Sequence, residues 1–132
     1  MDHTFSTRVY YEDTDLAGVV YYANYLRFIE RARTEYVAAK GLDQTALRAH
    51  GLVFVVTRIE ADYLKPARFA DDLTILTRPL ATTRVRLTLS QQVRRQDDLL
   101  FDAKVTLAAM SPEGRPLRLP PQLTGESNNV RI

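Results

Sequence analysis

An α+β fold, with one long helix laid against an antiparallel sheet, is predicted by three features of the sequence. Helical periodicity is concentrated in one stretch, residues 23–40. Four strand-like stretches follow it. The connections between those strands are too short to hold crossover helices, which favours antiparallel neighbours.

The elements follow in chain order. Residues 5–11 read as a first strand, with Val9 and Tyr11 on one side and Arg8 and Tyr10 on the other, ending at the polar stretch Glu12-Asp13-Thr14-Asp15. From 23 to 40, Tyr25, Leu26, Ile29, Ala32, Tyr36 and Val37 recur at three- and four-residue steps between charged residues, which is an amphipathic helix, and Gly41 is placed to end it in a left-handed conformation. A short helix is expected at 44–49. Residues 52–64 form a long strand in which Ile59, Ala61 and Tyr63 alternate with Arg58, Glu60 and Asp62. Strands at 73–78, 84–95 and 99–110 complete a five-stranded sheet, the last with Phe101, Ala103, Val105, Leu107 and Ala109 on one face. Gln96-Asp97-Asp98 makes a tight hairpin connection and Ser111-Pro112-Glu113-Gly114 a turn. The domain is thus expected over 1–116. Residues 117–132, with Pro120, Pro121, Gly125 and the run Glu126-Ser127-Asn128-Asn129, are expected to form an irregular or disordered tail.

Composition excludes several classes of function. With no cysteine, disulfides, thiolate zinc sites and a cysteine nucleophile are all ruled out, and a reducing compartment fits. The start Met1-Asp2-His3-Thr4 has no basic and apolar signal pattern, so a cytoplasmic location is the expectation. No apolar run approaches the roughly 18 residues that cross a bilayer. A net charge of +2 is too small to imply nucleic-acid binding, although residues 73–96 lack Asp and Glu and carry Arg78, Arg84, Arg86, Arg94 and Arg95. His3 and His50 have no metal-ligand spacing and no G-x-S-x-G partner, and neither G-x-G-x-x-G nor a Walker A sequence occurs, so no metal, cofactor or nucleotide is expected.

The chemistry concentrates between the first strand and the long helix. Asp13 and Asp15 precede Gly18 and an aromatic run, Tyr21, Tyr22 and Tyr25, where the helix begins. A helix start offers outward-pointing N–H groups and the positive end of the macrodipole, which can hold an oxyanion. Tyr11-Glu12-Asp13-Thr14-Asp15, Gly18-Val19-Val20-Tyr21, Asn24-Tyr25-Leu26 and Phe28-Ile29-Glu30-Arg31-Ala32-Arg33-Thr34-Glu35 together resemble the signature of the 4-hydroxybenzoyl-CoA thioesterase family of hotdog-fold proteins. The nearest branch is that of the tol-pal-associated, YbgC-like acyl-CoA thioesterases. The resemblance is dense over residues 9–37, and the element order agrees over about 5–110.

That resemblance implies a hotdog fold in which an antiparallel sheet wraps a long helix. It also implies a homodimer or homotetramer with sites between subunits, and hydrolysis of a short-chain or aromatic acyl-CoA. Asp15 falls on the family's catalytic aspartate, and the backbone N–H of Tyr22 falls where the family polarises the thioester carbonyl. Tyr22 resembles the hydroxybenzoyl branch at a position where tol-pal-associated members usually have His. Glu30 stands where the hydroxybenzoyl branch has a carboxylate facing the acyl group.

Read without the resemblance, Asp15 is a carboxylate that attacks a thioester carbonyl or activates water, and its residue type and place also fit a loop-shaping Asx-turn. Asp13 reads as a loop-shaping residue and Glu30 as a surface partner of Arg33 or Thr34. Arg84 and Arg86 share a strand face by period two and suit coenzyme A phosphates, or else a solvated face that resists edge pairing. The leading reading is an acyl-CoA thioesterase. A non-catalytic acyl-CoA-binding sensor or assembly module is the alternative, and a hotdog hydratase lacks its His-plus-carboxylate pattern here.

Overall fold

The computed structural model describes residues 2–125. One antiparallel sheet contains β1 (His3–Arg8), β2 (Val53–Tyr63), β3 (Asp72–Thr82), β4 (Arg86–Arg95), β5 (Asp98–Met110) and the two-residue β6 (Pro116–Leu117). Its order is β1-β3-β4-β5-β2, with β6 beside the end of β5. The helices are α1 (Asn24–Ala39), α2 (Gln44–Ala49) and α3 (Pro121–Thr124). The α+β expectation of a long helix on an antiparallel sheet is met.

α1 buries Tyr25, Phe28, Ile29, Ala32, Tyr36 and Val37, a stripe at helical spacing, against β1, β3 and β4. It ends where Gly41 adopts φ +86° and the Leu42 N–H returns to the Val37 carbonyl. α2 starts under a side-chain cap, Asp43 accepting from the N–H groups of Thr45 and Ala46. Beneath α1, fully buried Gln91 on β4 accepts from Arg33 Nη1 at 2.9 Å and donates to the Ile29 carbonyl at 2.9 Å and to Thr77 Oγ1 at 3.0 Å. This network fixes the helix on the sheet through satisfied polar groups. Burial draws the Arg33 guanidinium below its usual range, with Glu30 acting in the opposite sense.

The helix does not cover the whole sheet. Register opposes Phe54, Val56, Ile59, Ala61 and Tyr63 of β2 to the buried row of β5, so these residues share its helix-facing side. Yet Val56, Ile59 and Tyr63 stay 42%, 38% and 49% exposed, and Leu26 on α1 stays 37% exposed. A strip of apolar surface therefore runs between α1 and β2, and β2 ends the order of the sheet.

Three sequence expectations need correction. The first strand ends at Arg8, because the Tyr10 N–H turns to Asp13 Oδ2 and residues 11–13 form a 3₁₀ turn that leaves Tyr11 exposed. The tail is ordered from 117 to 125. Leu117 pairs with Ala109, the Leu119 N–H donates to the Arg84 carbonyl, and Leu119 and Leu123 join the core. Pro121 at the start of α3 and Gly125 after it, at φ +78°, serve as helix start and stop. The remainder of that tail, 126–132, lies outside the described residues. Finally, β4 begins at Arg86, so Arg84 sits in the β3–β4 hairpin loop and shares no strand face with it. There Thr83 Oγ1 accepts from the N–H groups of Val85 and Arg86 and ends the strand pattern.

Candidate active site

Residues 9–23 carry the chain from β1 to the helix start. Thr14 pairs with Val20, the Asp15 N–H donates to the Val19 carbonyl, and the Gly18 N–H returns to the Asp15 carbonyl at 2.9 Å. Asp15-Leu16-Ala17-Gly18 is thus a four-residue turn with Asp first and Gly last, the places these residues favour, and Gly18 takes the left-handed φ of +83°. Asp15 Oδ1 accepts from the Ala17 N–H at 2.9 Å, so the Asx-turn is real. It occupies one carboxylate oxygen of an exposed side chain.

Asp13 is the buried anchor of this segment. Its Oδ1 accepts from Asn24 Nδ2 at 2.9 Å, its Oδ2 from the Tyr10 N–H at 2.8 Å, and its carbonyl from the Tyr21 N–H. Asp13 and Asn24 are each 7% exposed, which joins the loop to the first residue of α1 out of water. Asp13→Ala strands the Asn24 amide and the Tyr10 N–H. A loss of roughly 1–3 kcal/mol is expected for the buried Asn24 amide left unpaired and less for the part-buried Tyr10 N–H, read as a lower urea midpoint at unchanged slope.

At the helix start, the Asn24 N–H bonds the Tyr21 carbonyl and the Leu26 N–H bonds the Ala23 carbonyl. Among the described residues, the N–H groups of Tyr22 and Ala23 find no acceptor. Next to this helix start, Tyr22 lines a cleft of about 210 Å³ whose walls also include Val20, Tyr25, Tyr63 and Lys65. Its floor is aromatic: Tyr25 stacks on Phe101 at 5.0 Å and 16°, and Tyr63 meets Phe101 edge-on at 4.9 Å. Tyr63 donates to the Tyr22 carbonyl at 2.8 Å, while Tyr25 Oη accepts from the Ala67 N–H at 2.9 Å. Burial pushes both hydroxyls above their usual range, so they remain neutral in ordinary buffers.

The site residues expected from sequence come together only in part. Asp15 lies opposite Val19, and Val19 to Tyr22 spans at most about 10 Å of chain. The carboxylate and the free amides therefore share one short segment, although Asp15 does not line the aromatic cleft. Glu30 is exposed about 12 Å along α1 from Tyr22. It borders a smaller cleft of about 110 Å³ with Arg33, Thr34, Phe54 and Val56. The Glu30 carbonyl accepts from Thr34 Oγ1 at 3.1 Å.

Arg86 lies seven residues along β4 from Val93, which pairs with Phe101 below the cleft, a separation of about 23 Å. Within one chain, Arg84 and Arg86 are thus at the opposite end of the sheet. Nor is the arginine-rich stretch a uniform cationic face. Arg78 pairs with Asp2, Arg95 with Asp71 and Asp98, and Arg94 donates to Gln92. The hydrogen bond and charge of the partner aspartate raise the pKa of both Arg78 and Arg95. Tyr63 carries no sequence signal as a site residue, because its partner is a main-chain carbonyl 41 positions away. Its place on the helix-facing side at the end of a strand was the only available clue.

No group of three or more His, Cys, Asp or Glu residues suited to a metal ion occurs among the described residues, and none of their helices is long and apolar enough to cross a membrane. The family model described as the thioesterase-like superfamily matches residues 9–125. The chain is 40% identical over 121 residues to the acyl-CoA thioester hydrolase YbgC of Escherichia coli O6:H1, covering 90% of each protein. It is 35% identical over 130 residues to the acyl-CoA thioesterase YbgC of Haemophilus influenzae, covering 97% of this chain and 96% of that protein. The crystal structure of a probable thioesterase from Bartonella henselae superposes with a TM-score of 0.87 at 40% identity, covering 91% of this chain and all of the other.

Proposed function

The chain belongs to the thioesterase-like superfamily and has its hotdog fold, and we propose that it hydrolyses acyl-CoA thioesters to free acid and coenzyme A. The observation that carries this reading is one short segment holding both halves of the chemistry. An exposed carboxylate at Asp15 sits on the hairpin that leads directly into two unpaired N–H groups, Tyr22 and Ala23, at the start of α1.

The Asp15 carboxylate attacks the thioester carbonyl carbon, or takes a proton from a water that does so. As the tetrahedral centre forms, the carbonyl oxygen gains charge and the Tyr22 N–H donates to it, favoured by the positive end of α1. The C–S bond then breaks and coenzyme A leaves as thiolate, a leaving group that needs no strong acid because thiol pKa values lie near 8.5. In the nucleophilic route, water finally opens the acyl-aspartyl anhydride. The aromatic cleft of about 210 Å³ suits a short-chain or aromatic acyl group.

We assign the apolar strip between α1 and β2 to a second copy of the chain. Its exposed Leu26, Val56, Ile59 and Tyr63, at an open sheet edge, support a homodimer or homotetramer with sites between subunits. In such an assembly Glu30 borders the acyl group, and Arg84 and Arg86 serve coenzyme A phosphates in the partner's site rather than their own. The test is free-thiol release across a panel of short-chain, aromatic and long-chain acyl-CoAs, with sedimentation to read the assembly. Short-chain or aromatic thioesters are expected to be turned over fastest. Tight binding without thiol release would identify an acyl-CoA-binding module instead.

A further inference from the structure

The Tyr22 carbonyl has lost its helical partner. In a helix continued backward by one turn, the Leu26 N–H would bond it, but that N–H bonds the Ala23 carbonyl instead. The Tyr63 hydroxyl fills the gap at 2.8 Å, reaching across from the end of β2. Its ring is held on three sides, by Phe101 at 4.9 Å, Tyr25 at 5.5 Å and the Tyr22 ring at 6.3 Å. Tyr25 is itself fixed by stacking on Phe101 and by its bond from the Ala67 N–H. A rigid aromatic cluster on the sheet thus ends in one donor aimed at one peptide.

That peptide is Tyr22–Ala23, and a trans peptide is planar, so fixing its oxygen fixes its N–H in the opposite direction. The Ala23 N–H is one of the two free donors at the helix start, and the Tyr22 N–H is joined to the same plane through the Tyr22 Cα. Donation to the carbonyl also polarises the peptide and strengthens the N–H on its far side.

We infer that Tyr63 is a positioning residue for thioester hydrolysis, its hydroxyl locking the Tyr22–Ala23 peptide so that the amides at the start of α1 are pre-aimed at the reacting carbonyl oxygen. The inference rests on the thioesterase reading above and adds a role for the Tyr63 hydroxyl, which is bonded to the Tyr22 carbonyl and not to the reacting atoms, while its ring lines the cleft. Its mechanism is preorganisation: donors set before the reaction need not reorient as charge develops.

Tyr63→Phe removes the hydroxyl and keeps the ring, whereas Tyr63→Leu removes both. Both variants are expected to lose kcat to a similar extent, roughly tenfold. KM is expected to stay within about twofold for Tyr63→Phe, because the interaction matters chiefly in the transition state. In NMR spectra of Tyr63→Phe, the Tyr22 carbonyl ¹³C and Ala23 amide ¹⁵N resonances should move while those of Ile29 and Ala32 stay. A Tyr63→Phe enzyme with wild-type kcat, with only Tyr63→Leu impaired, would reduce Tyr63 to packing and overturn the inference. So would unmoved Tyr22 and Ala23 resonances. A wild-type protein that releases no thiol from any acyl-CoA overturns the thioesterase reading, and the catalytic role of Tyr63 with it, even where the resonances move. A Tyr63→Phe loss in a wild-type protein that does release thiol supports both.

Discussion

Replacing Asp15 by Asn is expected to lower thiol release from acyl-CoA by roughly a thousandfold or more while leaving the fold intact, the scale on which loss of one member of a catalytic set is felt. Asn is the informative change because of what Asp15 does locally. Its Oδ1 accepts from the Ala17 N–H in the turn that Gly18 closes, and the Asn amide oxygen can accept the same bond. The hairpin therefore persists, and the melting temperature should stay within a few degrees. What Asn cannot do is attack a carbonyl carbon as an anion or take a proton from water at neutral pH. Activity and stability separate in this variant. A rate within twofold of wild type would remove Asp15 from the mechanism, and a rate loss matched by lost stability would return it to the loop-shaping role. Asp15→Ala gives the complementary result, because it removes the turn acceptor as well.

Fold and site were legible in the sequence to different depths, for physical reasons. Period-two alternation puts Val85, Leu87, Leu89 and Val93 of the fourth strand and the row Phe101 to Ala109 of β5 on one face each. All but Val85, which lies in the loop before β4 and is exposed, are buried because both strands are central and one of their faces packs against the core. Periodicity reports apolar character and not coverage, so Leu26 and Ile59 fall on apolar faces in the sequence although the single chain leaves them exposed. The tail misled because Pro120, Pro121 and Gly125 read as breakers, whereas here they delimit a helical turn that buries Leu123. Arg84 and Arg86 satisfied a period-two rule that a hairpin loop interrupted, through a threonine hydroxyl at Thr83 that the pattern does not encode. The Asp13 expectation held because an aspartate between a strand and a helix has abundant local N–H groups to accept from. Tyr63 left only its place in the alternation at the end of a strand as a clue, because a side chain that acts on a main-chain carbonyl across the fold leaves no spacing to find.

The second large effect is expected at Phe101, where stability and catalysis share one side chain. Phe101 is fully buried on β5, stacked on Tyr25 and edge-on to Tyr63, and so supports from below the cluster that holds the helix start. Phe101→Ala should cost about 3–5 kcal/mol, since removing a buried aromatic forfeits its transfer energy and leaves a cavity that neighbours fill only in part. Against a total stability on the order of 5–15 kcal/mol, this shifts the melting temperature by roughly 10 °C or more. Leu87→Ala provides the comparison. Leu87 is equally buried but sits at the far end of β4, paired with Leu107 and remote from the cleft, and its truncation should cost about 2–5 kcal/mol. At a temperature where both variants remain folded, Leu87→Ala should keep wild-type kcat. Phe101→Ala should lose it severalfold, because Tyr63 and Tyr25 then rest on a void and the Tyr22–Ala23 peptide is no longer held. Equal kcat in the two variants would show that the cluster contributes only stability and that the amides at the start of α1 keep their direction without it.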